Sequence, residues 1–421
     1  MKQQTIDQAK AVMIKNDRGY YTVPTHGLYP FQWNWDSALS ALGFAHFDEA
    51  RAWTELETLF AHQWSDGMVP HIIFHEMDDG YFPGPEVWAT GKTVPTSGIT
   101  QPPVAGFAAL RIFERAKNKK LATEKARALL PRIHAWHKWF FANRDPHGTG
   151  LVAIIHPWES GRDNSVDWDE AFQRIPTKGV NPFKRRDTNH ANPDHRPTDE
   201  QYKRYIWLVQ RFRSLDWDNT KLHDASPFQI VDPGFNAILI RACVDLAQLA
   251  DKLGEKEIAA QSRAMASKAL AAMESLWSDE HCQYLCLDRA VGTLINSPSI
   301  GGLLAAFAPI SESRARLLAE RISTLSESCS YLVPSHPPSA PQFEPLRYWR
   351  GPVWLIVNYM IADGLLIAGE TKMASRIKRD CLELINKSGF AEYYGPINGE
   401  PCGGGSFTWT AAMVIEILEA S

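Results

Sequence analysis

The chain has 421 residues, 44% of them hydrophobic and 22% charged, with 44 basic against 48 acidic side chains and a formal net charge of -4. A mean hydropathy of -0.28 and a pI near 6.4 describe a globular chain with ample apolar material for a core, and give no electrostatic reason to expect nucleic acid or an anionic membrane. No run of about 18 uninterrupted apolar residues is present to span a membrane. Met1 to Lys10 is polar, without the apolar stretch of a secretory leader. Cys243, Cys282, Cys286, Cys329, Cys381 and Cys402 are scattered. Cys282 and Cys286 lack the second pair a zinc site needs, so the thiols read as reduced and the expected location is the cytoplasm.

In chain order, apolar residues at helical spacing predict a helix over 36–47, and Asp48 reads as the N-cap of another through Trp64. Further helices are expected over 101–116, 121–143, 198–214, 232–253, 255–277, 311–325, 353–368, 372–387 and 407–419. Pro233 directly after Asp232 is a strong start signal. Residues 291–306 are ambiguous because Gly301 and Gly302 interrupt them. Alternating strand patterns are scarce; 151–155 and 283–287 are the best, both short. Antiparallel helices without a fixed repeat favour an all-α fold, a closed α/α toroid, over a helical solenoid. One domain over residues 1–421 is expected. Two connections, about 66–101 and 169–196, are too long for turns, and their aromatic and proline content reads as ordered covers over a site.

Fifteen tryptophans are unusual. Trp53, Trp136, Trp139, Trp207 and Trp277 fall in helical patterns and read as core. Trp33, Trp35, Trp88, Trp158, Trp349, Trp354 and Trp409 fall at element ends beside acids and glycines, which suggests a pocket walled by indoles. The richest segment is His156 to Ser165, where Trp158, Glu159, Arg162 and Asp163 crowd into ten residues closed by a polar turn. Ionisable groups beside a large aromatic surface are costly to bury. Sugar chemistry uses that pairing: a ring face for the apolar side of a pyranose, carboxylates for its hydroxyls and glycosidic oxygen. Other motifs are weak. His71 and His75 have metal spacing among helix-breaking prolines, Asn143 to Gly148 lacks the twelfth acid of a calcium loop, and Gly403 to Gly405 follows no strand. No metal or cofactor is expected. Lys184-Arg185-Arg186 reads as a solvated loop face.

Six segments then appear in order: Pro30 to Ser37, Asp66 to His71, Thr100 to Pro103, Trp158 to Ser165, Tyr348 to Trp354, and Glu392 to Pro396. The series resembles that of glycoside hydrolase family 63, and within it the mannosylglycerate and glucosylglycerate hydrolases. The resemblance implies an (α/α)6 barrel and inverting hydrolysis of α-glycosides, which needs one protonated carboxyl and one ionised carboxylate about 6.5–9.5 Å apart. It implies Asp163 as general acid, its proton retained beside Trp158, with Arg162 turned away or paired with Glu159. It implies Glu392 as general base; Glu159 and Asp36 compete as acids, although Asp36 suits two sugar hydroxyls better. Trp35, Trp158 and Trp354 would wall the −1 sugar site, with Tyr29 and Trp33 at its mouth. Arg196 and Tyr202 would grip a glycerate carboxylate, completed by Gln101, Tyr348 and Trp349. The implied partner is a small glycoside, 2-O-α-glucosyl- or mannosyl-glycerate. An α-glucosidase on neutral oligosaccharides and a non-catalytic sugar-binding toroid are the alternatives, and homo-oligomer formation is left open.

Overall fold

Some helices of this chain are buried on every side and others along a single stripe, and that difference sorts them into two rings. The computed structural model describes residues 2–189 and 191–419; His190, in the basic connection, lies outside the described residues. Asn34–Phe44 is buried at every position, and Leu355–Ile367 and Thr408–Glu419 at nearly every one. A helix buried all round needs neighbours all round. With Ala105–Arg115, Pro233–Leu253 and Ile300–Leu304, the last prolonged by the 3-10 turn Ala305–Phe307, they form a ring in which each helix touches the next and Thr408–Glu419 closes on Asn34–Phe44. Alternating with these in sequence are Lys2–Asn16, Glu49–Ala61, Lys119–Asn143, Lys256–Met273, Glu312–Leu325 and Thr371–Ser388. Their burial follows a one-sided helical stripe: Thr371–Ser388 buries Ala374, Ile377, Cys381, Leu384 and Ile385 and exposes much of the rest. Six inner and six outer helices among the described residues close the toroid that the helical pattern predicts, as the (α/α)6 barrel that the resemblance implies.

Two of these helices differ from the sequence reading. Lys2–Asn16 is not foreseen because only Ile6, Ala9, Met13 and Asn16 are buried in an otherwise polar segment. The inner helix at 300–307 runs through Gly301 and Gly302, which do not break it. A Cβ on Gly302 would collide with the Tyr284 carbonyl, and one on Gly301 with the Arg162 guanidinium, so the glycines allow close approach. Strands are all two residues long. Gln283–Tyr284 pairs with Trp277–Ser278, which takes Trp277 out of the predicted helix; 151–155 makes only a single bridge, Ile154 to Ile230. Between Lys119–Asn143 and Pro233–Leu253 lies an 89-residue stretch (from 144 to 232) that includes the helix Asp199–Arg213. Thr198 and Gln201 form a reciprocal capping box at its start.

The described residues of the connections 66–101 and 169–196 include short helices and strands. The first includes the strand Ile72–Ile73, paired with Gln32–Trp33, and the short helix Pro85–Trp88. The two meet where the Phe82 and Phe183 rings stack at 5.2 Å and 5°. Among the described residues no helix is long and apolar enough to cross a membrane.

The C-terminal ends of the inner helices are closed by a buried ionic network. Glu416 is fully buried and accepts from Arg115 Nη2 at 2.7 Å, from the Tyr359 hydroxyl at 2.8 Å and from His46 Nε2 at 2.8 Å. Burial alone would raise its pKa; the His46 and Arg115 hydrogen bonds and charges outweigh that and hold it at about 2. A folded-state pKa below the unfolded value of roughly 4.3 contributes stability that is present above that value and lost as pH falls toward 2. Glu416→Gln should lower the unfolding free energy at pH 7 by about 3–5 kcal/mol, the usual cost of breaking a buried pair. Urea titrations at pH 7 and pH 3 should show that the penalty shrinks in acid.

Candidate active site

At the opposite end, where the inner helices begin, a pocket encloses about 640 Å³ of empty space. Tyr29, Trp33, Trp35, Asp36, Gln101, Trp158, Asp163, Arg196, Tyr202, Tyr348 and Glu392 all line it, together with Pro24, His71, Tyr81, Phe82, Pro83, Gly161, Asp187, Phe407 and Trp409. Asp36 lies in the first turn of Asn34–Phe44, where a carboxylate faces the positive end of the helix. The Trp35 amide donates to Gln101 Oε1 at 3.3 Å, which sets the side chain that precedes the next inner helix. The Trp35 and Trp409 rings meet edge to face at 5.6 Å, and Trp158 lies nearly parallel to His71 at 6.2 Å.

Asp163 is carried by a loop with little freedom. Pro157–Ser160 is a 3-10 turn whose Trp158 amide donates to His156 Nδ1 at 3.1 Å. Gly161 then turns the chain at φ 71°, and a Cβ there would come within 2.5 Å of the Trp35 ring. The Asp163 carbonyl accepts from Trp168 Nε1 at 3.1 Å and from the Tyr205 hydroxyl at 2.9 Å. Burial pushes the Asp163 carboxyl up to about 7; the nearby Glu392 charge adds to this and Arg196 opposes it.

Glu392 is also buried, and burial raises its pKa, but donors surround it. Its Oε1 accepts from the Tyr29 hydroxyl at 3.1 Å, its Oε2 from the Gly404 amide at 3.0 Å, and Arg196 Nη1 is 3.8 Å away. A Cβ on Gly403 would strike the carboxylate, so that backbone forms its floor. Asp36 is raised well above the carboxylate range by burial, with the Glu392 and Glu55 charges adding to it. Arg196 is 3% exposed; its Nε donates to Asp187 at 3.2 Å and its plane lies 4.2 Å over the Tyr348 ring. Its Nη1 is buried without a hydrogen-bond partner.

The sequence matches the mannosylglycerate hydrolase MGH1-like glycoside hydrolase domain over residues 29–410. It is 46% identical over 420 residues to mannosylglycerate hydrolase MGH1 of Selaginella moellendorffii, an alignment covering 99% of this chain and 86% of that protein. It is 33% identical over 435 residues to a glucosylglycerate hydrolase of Mycolicibacterium hassiacum, covering 98% and 97%. A crystal structure of the family 63 mannosylglycerate hydrolase of Thermus thermophilus, in complex with Tris and D-glycerate, superposes with a TM-score of 0.95 at 44% identity, covering 99% and 100% of the two chains. The chain belongs to this family.

It is thus an inverting glycoside hydrolase of family 63. The structure also corrects several placements. Trp349 and Trp354 do not line the pocket of this glycoside hydrolase: they stack on each other at 3.9 Å and 4°, and Trp354 stacks on Tyr393 at 4.5 Å. They form a slab behind Tyr348, whose own φ is 40°. Trp88 is buried behind Trp158. Arg162 turns away from Asp163 but pairs with Asp167 and Asp232, not Glu159. Glu159 is held by Arg144 at 2.6 Å, which withdraws it from competition as an acid. Within the basic run Lys184 is exposed, but Arg185 pairs with Asp187 and lies 4.0 Å over the Tyr202 ring. Asp187, Phe82 and Phe407 were not foreseen; an acid directly after three basic residues was the available signal for the first. His147, His223 and Asp224 bring ligand-type atoms within 4.8 Å of one another outside the pocket, with Arg289 Nη1 3.5 Å from His223.

Gly161 joins the acid loop to the Trp35 wall, so Gly161→Ala should displace both. A displacement of about 1 Å at a reacting group costs on the order of 10²-fold in rate. Steady-state kinetics should show that loss mainly in kcat, with a lower melting temperature.

Proposed function

We propose that this glycoside hydrolase cleaves a 2-O-α-glycosyl-glycerate, mannosyl or glucosyl, into free sugar and glycerate. The observation that carries the reading is the buried Arg196 guanidinium, whose Nη1 makes no hydrogen bond and has only the longer 3.8 Å approach to Glu392, at a wall made otherwise of aromatic rings and carboxylates. A carboxylate-bearing aglycone supplies the partner it lacks. The names of the relatives and the D-glycerate in the Thermus thermophilus complex support the same class.

In this reading Asp163, protonated because of its burial, donates to the glycosidic oxygen. Glu392, ionised with the help of Arg196, Tyr29 and Gly404, takes a proton from the attacking water on the other face of the sugar. Trp35 and Trp158 wall the −1 sugar, Tyr29 and Trp33 sit at its mouth, and Asp36 accepts from two sugar hydroxyls. Arg196, Tyr202, Gln101 and Tyr348 hold the glycerate, while Trp349 and Trp354 act from behind as support for Tyr348 and Tyr393. One catalytic domain over the chain, with 66–101 and 169–196 as covers, and a cytoplasmic location consistent with six free thiols complete the proposal.

Asp163→Asn and Glu392→Gln should each lower turnover by about 10²–10⁴-fold, the contribution of a positioned acid or base. NMR of the wild-type reaction should show the β-anomer released first; early α-anomer would remove the inverting assignment. Since Asp163 must be protonated, kcat/KM should fall as pH rises through about 7.

A charge-assisted pair is worth roughly 1.5–3 kcal/mol, so Arg196→Ala should cost about one to two powers of ten in kcat/KM on the glycerate substrate. On an uncharged α-glucoside only the part that acts through Glu392 is lost, so the loss should be smaller than on the glycerate substrate. Equal losses on both would favour the neutral α-glucosidase.

A further inference from the structure

The residue before Asp163 is almost fully buried. Arg162 is 2% exposed, and its guanidinium is ion-paired to Asp232 Oδ2 at 2.9 Å and Asp167 Oδ2 at 3.0 Å. Its Nη1 also donates to Ser165 Oγ at 3.1 Å and Ser299 Oγ at 3.3 Å. Two of these partners are helix caps: Asp232 Oδ1 accepts from the Gly234 amide at the start of Pro233–Leu253, and Ser299 Oγ from the Gly301 amide at the start of Ile300–Leu304. Asp167 is further tied to Ser297 Oγ at 2.9 Å and to Ser299. One guanidinium therefore knots the Trp158–Ser165 loop to the first turns of two adjacent inner helices, on the side of the loop away from the pocket.

We infer that Arg162 is the positioning residue for Asp163, fixing the carboxyl against the barrel rim through the Asp167–Asp232–Ser299 knot. This rests on the reading of Asp163 as the general acid. Its neighbour's backbone is pinned on both sides: the Arg162 amide donates to Ser160 Oγ at 2.9 Å, and the Asp163 carbonyl is held by Trp168 and Tyr205. The carboxyl is left as the free end of a fixed lever, and loosening the guanidinium releases it. No contact from Arg162 reaches the aromatic walls that would bind the sugar, apart from the close approach of Gly161 to Trp35.

Leaving groups separate positioning of the acid from general support. Cleaving an O-glycoside needs a proton on the departing oxygen. An α-glycosyl fluoride does not: water bonds to the anomeric carbon, its proton passes to Glu392, and the C–F bond breaks to release fluoride. Kinetics on glycosyl-glycerate and on the matching α-glycosyl fluoride would be measured for Arg162→Lys, Ser299→Ala and Asp163→Asn, with melting curves for each. Arg162→Lys keeps the charge and loses the fork. It should lose about 10²-fold in kcat on the glycerate substrate, with little change in KM, and at least about tenfold less on the fluoride. Ser299→Ala should show the same pattern at roughly 2–10-fold, and decides the matter if Arg162→Lys does not fold. Equal losses on both substrates in the Arg162 and Ser299 variants, with Asp163→Asn still spared on the fluoride, would overturn the positioning role alone. Equal losses in Asp163→Asn as well would overturn the acid assignment and the inference with it.

Discussion

Six inner helices begin at the same end of the barrel, and the chemistry of the molecule is organised by that alignment. The first turns of a helix carry unpaired amides and the positive end of its dipole. Here those turns meet side chains that answer them: Asp36 within the first turn of one helix, Asp232 and Ser299 as caps of two others. At the far end, where carbonyls are exposed, Arg111, Arg115 and Arg241 pair with Asp363, Glu416 and Asp245. One end becomes a sealed floor and the other a rim able to hold several carboxylates close together.

The pocket concentrates Asp36, Asp163, Asp187 and Glu392 around one guanidinium, Arg196. Burial pushes Asp36, Asp163 and Glu392 upward, and what differs among them is the number of donors within reach. Glu392 has a tyrosine hydroxyl, a backbone amide and the arginine; the Asp163 carboxyl has the arginine's field and its own backbone amide. Asp187 is the exception, held below the usual range because Arg196 and Arg185 outweigh its burial. Local donor supply, not burial, is what distinguishes these carboxyls from one another.

The helices were legible because the outer ring has to present one apolar stripe, and because Asp48, Asp232, Ser311 and Thr198 cap as their residue types predict. Lys2–Asn16 was hidden by a stripe of only four buried positions, and the 300–307 helix by glycines whose purpose is clearance. The acid loop stood out on its own chemistry. Glu392 did not: nothing local distinguishes it from Glu400, and it came from family resemblance. Trp349 and Trp354 were assigned to the pocket because a string of residues does not say which side of a slab faces the cavity. Asp187 was masked by its basic neighbours, yet those neighbours are the reason it can be buried.

Asn16 Nδ2 donates to Ser406 O at 2.8 Å and to Thr408 Oγ1 at 2.9 Å, so the outer helix Lys2–Asn16 is fastened to the inner helix Thr408–Glu419 across a separation of about 390 residues. The ring cannot be sealed until that final inner helix exists, and Glu392, Phe407 and Trp409 arrive with it. During synthesis the first eleven helices wait with an open flank of apolar surface, in a topology rich in distant contacts that fold slowly. A nascent chain stalled before residue 390 carries Trp33, Trp35, Trp158 and the loop of Asp163, but neither the Glu392 side of the pocket nor the seam that closes the barrel.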